Sequence, residues 1–316
     1  MSIRPGQIVL FVLLALLLSG RPATAQFVPG GGFALSLVGD DFEDPRWAYQ
    51  LNLPKSSADI DKQGRSPLGR SLNGRWHEGE RGQPDVVRRV DTPEGGLTGS
   101  MGSLFIATRH SGVPGVATSK SQQDDLVMTV NSRTGGYIPV AQWPSVVVRV
   151  YVPEFDEWEQ RNGSSFAFRA TVRGTKPGER ESEPYWPGIF LQHTRSRGGE
   201  SNAHFLVRAG ERGNDYSGPE ATPGWWTLGM GFSPDGRIHY FAAEGVDNLT
   251  VEDRIAVHHS YGFRCQNFRN AFFDVFSANN GRAWSTGWVI DDPTIYVASE
   301  RYATRIDAHR DAPRRR

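Results

Sequence analysis

What most restricts the fold of this chain is the spacing of its apolar residues, which come in short alternating runs interrupted by turn residues. In Val146-Val147-Val148-Arg149-Val150-Tyr151-Val152 every even position is valine, while Arg149 and Tyr151 fall on the other face. Phe166-Ala167-Phe168-Arg169-Ala170-Thr171-Val172-Arg173 repeats the split. A period of two belongs to a strand with one packed face and one face turned to solvent or ligand. Further runs at 33–38, 86–90, 103–108, 126–130, 189–191, 205–207, 225–232, 238–242, 272–276 and 295–298 continue the pattern. Ser233-Pro234-Asp235-Gly236 and Ala278-Asn279-Asn280-Gly281 supply hairpin turns between such runs. With Gly 36 and Pro 20 beside Trp 9, Tyr 9 and Phe 17, the chain has the composition of turns and aromatic strands. No amphipathic helix of three turns and no repeat of solenoid length competes with this all-β reading.

The N-terminus follows a different logic. Arg4 precedes an unbroken apolar run from Ile8 to Leu18, and the small residues of Ala23-Thr24-Ala25 stand just before Gln26. That order is the one a secretory signal peptide needs. The run is shorter than the ~20 apolar residues of a membrane-spanning helix. The expectation is a protein secreted or delivered to the periplasm, with Gln26 as its mature N-terminus; the alternative is an uncleaved anchor. Cys265 is the only cysteine, so no internal disulfide forms. That suits a bacterial exported protein better than an extracellular eukaryotic module. Lys+Arg 35 balance Asp+Glu 35, which gives no electrostatic reason to expect nucleic acid or a membrane surface as partner. The divisions expected are 1–25 signal peptide, 26–32 flexible lead-in, 33–298 β-sandwich and 299–316 polar C-terminal tail. Within the sandwich, the polar stretches 55–82 and 194–201 read as long loops, where such folds often carry function.

The opening Asp40-Asp41-Phe42-Glu43-Asp44-Pro45-Arg46-Trp47 and the closing Trp288-Val289-Ile290-Asp291-Asp292-Pro293-Thr294-Ile295-Tyr296-Val297 resemble the first and last strands of concanavalin A-like lectin/glucanase domains. The resemblance implies a two-sheet antiparallel jelly-roll β-sandwich with those two strands side by side. In many members of that family one concave face binds sugar. It leaves activity open, because lectins, hydrolases, lyases and structural modules share the fold.

Four groups of residues are candidates for function. Glu154-Phe155-Asp156-Glu157-Trp158-Glu159 is similar to the E-x-D-x-x-E signature of laminarinase-type hydrolases. That likeness implies Glu154 as nucleophile, Glu159 as acid/base and Asp156 as helper. Read from its flanks, Pro153 and Arg161-Asn162-Gly163, the segment is instead an acidic connection between two strands. The second candidate is the face opposite the valines and phenylalanines, with Arg149, Tyr151, Arg169, Thr171 and Arg173, joined by Gln192, His204 and Arg208. Arginines hold carboxylates and sulfates through paired hydrogen bonds, so this face suits an acidic polysaccharide. The Gln-x-His of jelly-roll alginate lyases differs from Gln192-His193 here, whose side chains would point opposite ways. Trp225 and Trp226, with Tyr185, Trp186 and Trp143, are candidate platforms for sugar rings, one of the Trp225/Trp226 pair facing the core. Finally, Asp41 and Glu43 with Asp291 or Asp292 could furnish oxygen ligands for one calcium ion. Ser277–Trp284 resembles one Asp-box of sialidases, which supports a hairpin only. The function expected is recognition of a carbohydrate by an exported protein, with an acidic polysaccharide as the candidate ligand. A polysaccharide-cleaving enzyme or a structural, protein-binding module are the alternatives.

Overall fold

The computed structural model describes residues 27–109, 113, 121–196, 198–210, 215–278 and 284–308. The signal segment, the Asn279-Asn280-Gly281 turn and Arg314–Arg316 lie outside the described residues. Two antiparallel sheets pack face to face. The smaller runs in the order Arg254–His258, Ile238–Glu244, Gly224–Phe232, Ser145–Val152, Trp288–Val297, Gly102–Ala107 and Val86–Asp91. Phe33–Ala34 also pairs with Trp288–Val297, whereas Asp40–Trp47, the segment the resemblance implied as first strand, runs as coil and turn because its Asp-Pro-Arg turn breaks the ladder. The larger runs Asp215–Ala221, Ser201–Arg208, Gly188–Arg195, Gly163–Thr175, Arg264–Ser277, Gln122–Met128, Trp76–Glu78, Arg70–Ser71 and Tyr49–Gln50. The all-β sandwich expected from the alternation is the observed fold.

Alternation builds the core directly. Val146, Val148, Val150 and Val152 from the smaller sheet meet Phe166, Phe168, Ala170 and Val172 from the larger one in a single buried cluster. Each buried valine contributes roughly 1.5–3 kcal/mol, so a slip of one residue would reverse both faces at high cost. The Ser233–Gly236 turn closes its hairpin as the sequence predicts, with the Gly236 N–H donating to the Ser233 carbonyl at 2.8 Å. Gly236 has φ +83°, a conformation that side-chain-bearing residues rarely adopt. Cys265 is buried and free, and burial pushes its thiol up to about 12.

The two termini of the sandwich differ from expectation. Phe27 and Pro29 of the lead-in pack on the sheet, while Gly30–Gly32 are exposed. Pro29 lies against Gly229 and the Phe27 ring against Gly231, because those two glycines leave the outer face of Gly224–Phe232 bare. Phe27 also meets Trp143 at 5.0 Å between ring centroids. A side chain at 231 would place its Cβ about 2.0 Å from the Phe27 ring. We expect Gly231→Val to displace the lead-in, cost about 1–3 kcal/mol and open the 27–32 backbone to limited proteolysis. Unchanged cleavage would show that the lead-in is held elsewhere. At the other end, residues 300–308 form a helix where a polar tail was expected. Ser299 caps it, accepting from the Tyr302 N–H at 3.2 Å, and Ala303 and Ile306 bury one stripe on the core.

Candidate functional site

The link between Ser145–Val152 and Gly163–Thr175 decides where the polar residues go. Pro153 and a one-turn 3-10 helix at Phe155–Glu157 carry the chain from one sheet to the other. Trp158 plugs the arch, buried against Trp288 at 5.0 Å and donating from Nε1 to the Pro153 carbonyl at 2.9 Å. Outward side chains before and after the arch therefore point in opposite directions. Arg149 and Tyr151 do not share a face with Arg169, contrary to expectation. They lie on opposite sides of the sandwich.

Around Arg149 and Tyr151 the outer face of the smaller sheet is covered. Arg149 is buried, its guanidinium donating to Asp292 Oδ2 at 3.1 Å, the Val246 carbonyl at 3.3 Å and Asn248 Oδ1 at 3.4 Å. Tyr151 packs edge-on against Trp225 at 5.5 Å. Trp225 in turn donates to the Glu94 carbonyl at 3.1 Å beneath the 93–96 segment. Trp226 faces the core against Phe205 at 4.8 Å. Both tryptophans are buried, so neither offers a platform; half of that outcome was legible from alternation, and the covering segment was not.

The acidic segment does not line the groove on the outer face of the larger sheet. Glu154 and Asp156 are exposed on the arch. Glu159 is consumed locally, accepting from the Ala278 N–H at 2.6 Å and from Arg161 Nε at 3.3 Å. The strand-borne trio implied by the hydrolase resemblance does not form, because an arch has replaced the bulged strand. Nor do Asp41, Glu43 and Asp292 gather into an oxygen cage. Asp41 accepts from the Glu43 N–H at 3.2 Å, Glu43 from the Met101 N–H at 2.9 Å, and Asp292 holds Arg149. Among the described residues no group of three or more His, Cys, Asp or Glu is placed to hold a metal ion.

The outer face of the larger sheet is open. A groove of about 890 Å³ crosses Trp76–Glu78, Gln122–Met128, Arg264–Ser277 and Gly163–Thr175, walled by residues 56–68 and 79–81. Arg65, Arg81, Arg169 and Arg269 line it together with His77, Glu78, Asp125 and Trp186. Arg65 pairs with Asp61 and Arg81 with Asp59. Among the described residues Arg269 has no carboxylate within ion-pair distance, and it is exposed. Trp186 is 47% exposed at the rim. Its carbonyl accepts from Arg169 Nη2 at 2.8 Å. Arg169 lies between the rings of Phe190 and Phe272, 5.3 Å from each, and donates from Nη1 to Asp274 Oδ2 at 3.0 Å.

Asp274 stands directly across from Asp125 in the strand register. Both are buried, and burial raises each above the ordinary carboxylate range, with Asp274 raising Asp125 further. Like charges so close share a proton rather than both ionise. His77 faces the same groove; burial, then Arg269, lowers its pKa, so it is neutral at pH 7. Glu78 ties down the wall, its carboxylate accepting from the Ser56 N–H at 2.6 Å and the Gly69 N–H at 3.1 Å.

Of the residues named from sequence, Arg169 and Thr171 line this groove. Gln192, His204 and Arg208 share its face but lie beyond Phe190, where Gln192 pairs across strands with His204 and Arg208 covers the Phe190 ring at 4.4 Å. Arg173 is turned to the Ser182 carbonyl. Sequence reading missed His77, Asp125, Arg269 and Asp274. One signal was present: Asp274 interrupts Phe272-Phe273-Asp274-Val275-Phe276 as its only polar residue. Asp125 gave none, since Gln122-Gln123-Asp124-Asp125 reads as a loop.

No protein-family model matches the chain, and no curated protein matches it. Among solved structures, a carbohydrate esterase from a Shiga toxin-encoding bacteriophage aligns at 13% identity over 72% of this chain and 91% of its own, with TM-score 0.43. The endo-β-1,4-glucuronan lyase of the fungus Trichoderma reesei aligns at 10% identity over 70% of this chain and 94% of its own, with TM-score 0.36. An alginate lyase from Pseudomonas aeruginosa aligns at 11% identity over 69% of this chain and 85% of its own, with TM-score 0.34. Likeness at this level carries nothing about activity or substrate. The chain is a two-sheet antiparallel β-sandwich with a groove on the outer face of its larger sheet.

Proposed function

We propose that this is an exported bacterial protein of the concanavalin A-like type that binds an acidic polysaccharide in the groove of its larger sheet. The observation that carries the reading is the groove's lining: four arginines, one of them without an ion-pair partner among the described residues, beside a half-exposed tryptophan. Guanidinium groups recognise carboxylates in paired geometry, and a flat indole stacks on the apolar face of a sugar ring. Arg149 and Tyr151 have no part in it. Export rests on the N-terminal segment, and the superfamily reading on the two-sheet antiparallel sandwich and the likeness of its closing strand at Trp288–Val297.

Titration calorimetry with oligouronates and with a neutral glucan of equal length tests the reading. We expect the oligouronate to bind more tightly and its affinity to fall as salt is added. Arg269→Ala should weaken it about tenfold, the effect of one charge-assisted hydrogen bond of ~1.4 kcal/mol. Equal affinity for the neutral glucan, or an Arg269→Ala protein that binds as well as the parent, would overturn it.

A further inference from the structure

Reading the groove as an acidic-glycan site has a chemical consequence. In a uronate residue the hydrogen on C5 is α to a carboxylate, and a cation on that carboxylate makes the hydrogen acidic. Such a chain can be cut without water. A base removes the C5 proton, and the electron pair of that bond forms C4=C5. The C4–O bond breaks, its pair leaves on the glycosidic oxygen, and an acid returns a proton to that oxygen. The reaction needs three things in one groove: a cation, a base without its proton and an acid with one.

The groove holds all three. Asp125 and Asp274 are direct cross-strand partners, a relation that sets Cβ atoms about 4.5–5.5 Å apart. Asp274 is fully buried, and its Oδ2 is fixed by Arg169. Its other oxygen, Oδ1, is buried with no donor in hydrogen-bond reach among the described residues. A proton on Asp125 supplies that donor and satisfies both carboxyls at once. Asp125, not Asp274, lines the groove, and Gln123 Nε2 donates to its Oδ1 at 2.9 Å. The acid therefore faces the ligand, while its partner and Arg169 lie behind it.

His77 supplies the base. It stands opposite Val127, two residues along the same strand from Asp125, so the two side chains are diagonal neighbours on one face, roughly 7–8 Å apart. Its Nδ1 is 2.8 Å from Thr129 Oγ1. When Nδ1–H donates there, Nε2 keeps its lone pair. The separation suits two groups that act on adjacent carbons of one sugar ring from either side of a bond. Glu78 is unsuited to be the second carboxylate of a hydrolase, since two backbone N–H groups already hold it.

We propose that the groove cleaves its acidic glycan by β-elimination, with His77 taking the C5 proton, Asp125 protonating the departing oxygen, and Arg269 neutralising the uronate carboxylate. Asp274 and Arg169 act as positioning residues that keep Asp125 supplied with its proton. The proposal rests on the acidic-glycan reading.

The test uses the full chain with alginate, polyglucuronate and polygalacturonate, following the ultraviolet absorbance of the conjugated double bond and the product masses. We expect at least one of the three to yield unsaturated oligomers. His77→Gln and Asp125→Asn should each lower that rate about 10²–10⁴-fold. Oligouronate affinity should stay within about threefold, with melting curves confirming folded variants. Binding without unsaturated product from any of the three overturns the elimination and leaves the binding reading intact. Products that have gained water overturn it too, as does elimination that survives both substitutions. If no polyuronate binds, the reading beneath it falls as well.

Discussion

Lys55→Met is expected to remove about 3–5 kcal/mol of folding stability at pH 7, the loss that follows when one partner of a buried ion pair is deleted. Lys55 and Asp124 are both wholly buried, 2.6 Å apart between Nζ and Oδ2. The ammonium also donates to the Gln83 carbonyl at 3.1 Å, Asp85 Oδ2 at 3.2 Å and Thr108 Oγ1 at 3.3 Å. Thr108 follows a strand of the smaller sheet and Asp124 belongs to the larger, so this one cation ties the two layers together. It also anchors the start of the segment that walls the groove.

The loss should depend on pH with a definite sign. Burial already raises Asp124 to about 6, against 3.8 for an ordinary aspartate, and Lys55 opposes that rise. Without Lys55 the folded-state pKa climbs further, so the folded state binds a proton more tightly than the unfolded one. Such a group costs nothing below the unfolded pKa, and its cost grows as pH rises from there through the folded value. The deficit of Lys55→Met should therefore be larger at pH 7 than at pH 5 in urea titrations of parent and variant. A deficit equal at both values would mean that Asp124 is not the group left stranded.

Trp76→Ala should cost a similar ~3–5 kcal/mol, for a different reason. Trp76 is fully buried and stacks between Phe42 at 6.0 Å and Phe273 at 5.7 Å, at the centre of the contact between the first segment and the larger sheet. Its indole N–H donates to Asp40 Oδ2 at 2.9 Å, where Trp47 Nε1 at 2.9 Å and Asn73 Nδ2 at 2.8 Å also donate. Trp76→Phe keeps most of the apolar contact and leaves Asp40 with two donors, so only about 1–2 kcal/mol should go. Chemical denaturation of the three proteins separates packing from hydrogen bonding. If Trp76→Phe were as damaging as Trp76→Ala, the hydrogen bond to Asp40 would be the dominant contribution.

The alternating runs told which residues face the core, because a strand has only two faces and burial chooses between them. Val146–Val152 and Phe166–Val172 were placed that way from sequence, and the structure agrees. Alternation could not say which sheet a strand joins. Arg149 and Arg169 look equivalent in sequence, yet the arch at 153–162 sends them to opposite sides of the molecule. One is buried under the 246–248 segment and the other opens on the groove.

The acids show the same boundary. Glu154, Asp156 and Glu159 drew attention because they are clustered in sequence, and the chain between two sheets has no use for them as a cluster. Asp125 and Asp274 are far apart in sequence and meet only through the register of two strands. Asp124 and Asp125 are adjacent, yet one turns inward to Lys55 and the other outward to Asp274. Periodicity within a few residues was enough for the inward faces of the longest strands and for the class of fold, but not for polar strands such as Gln122–Met128 or Trp76–Glu78. Strand pairing across long stretches of chain decided the groove and its facing carboxyls, because it brings together charges that no local pattern relates.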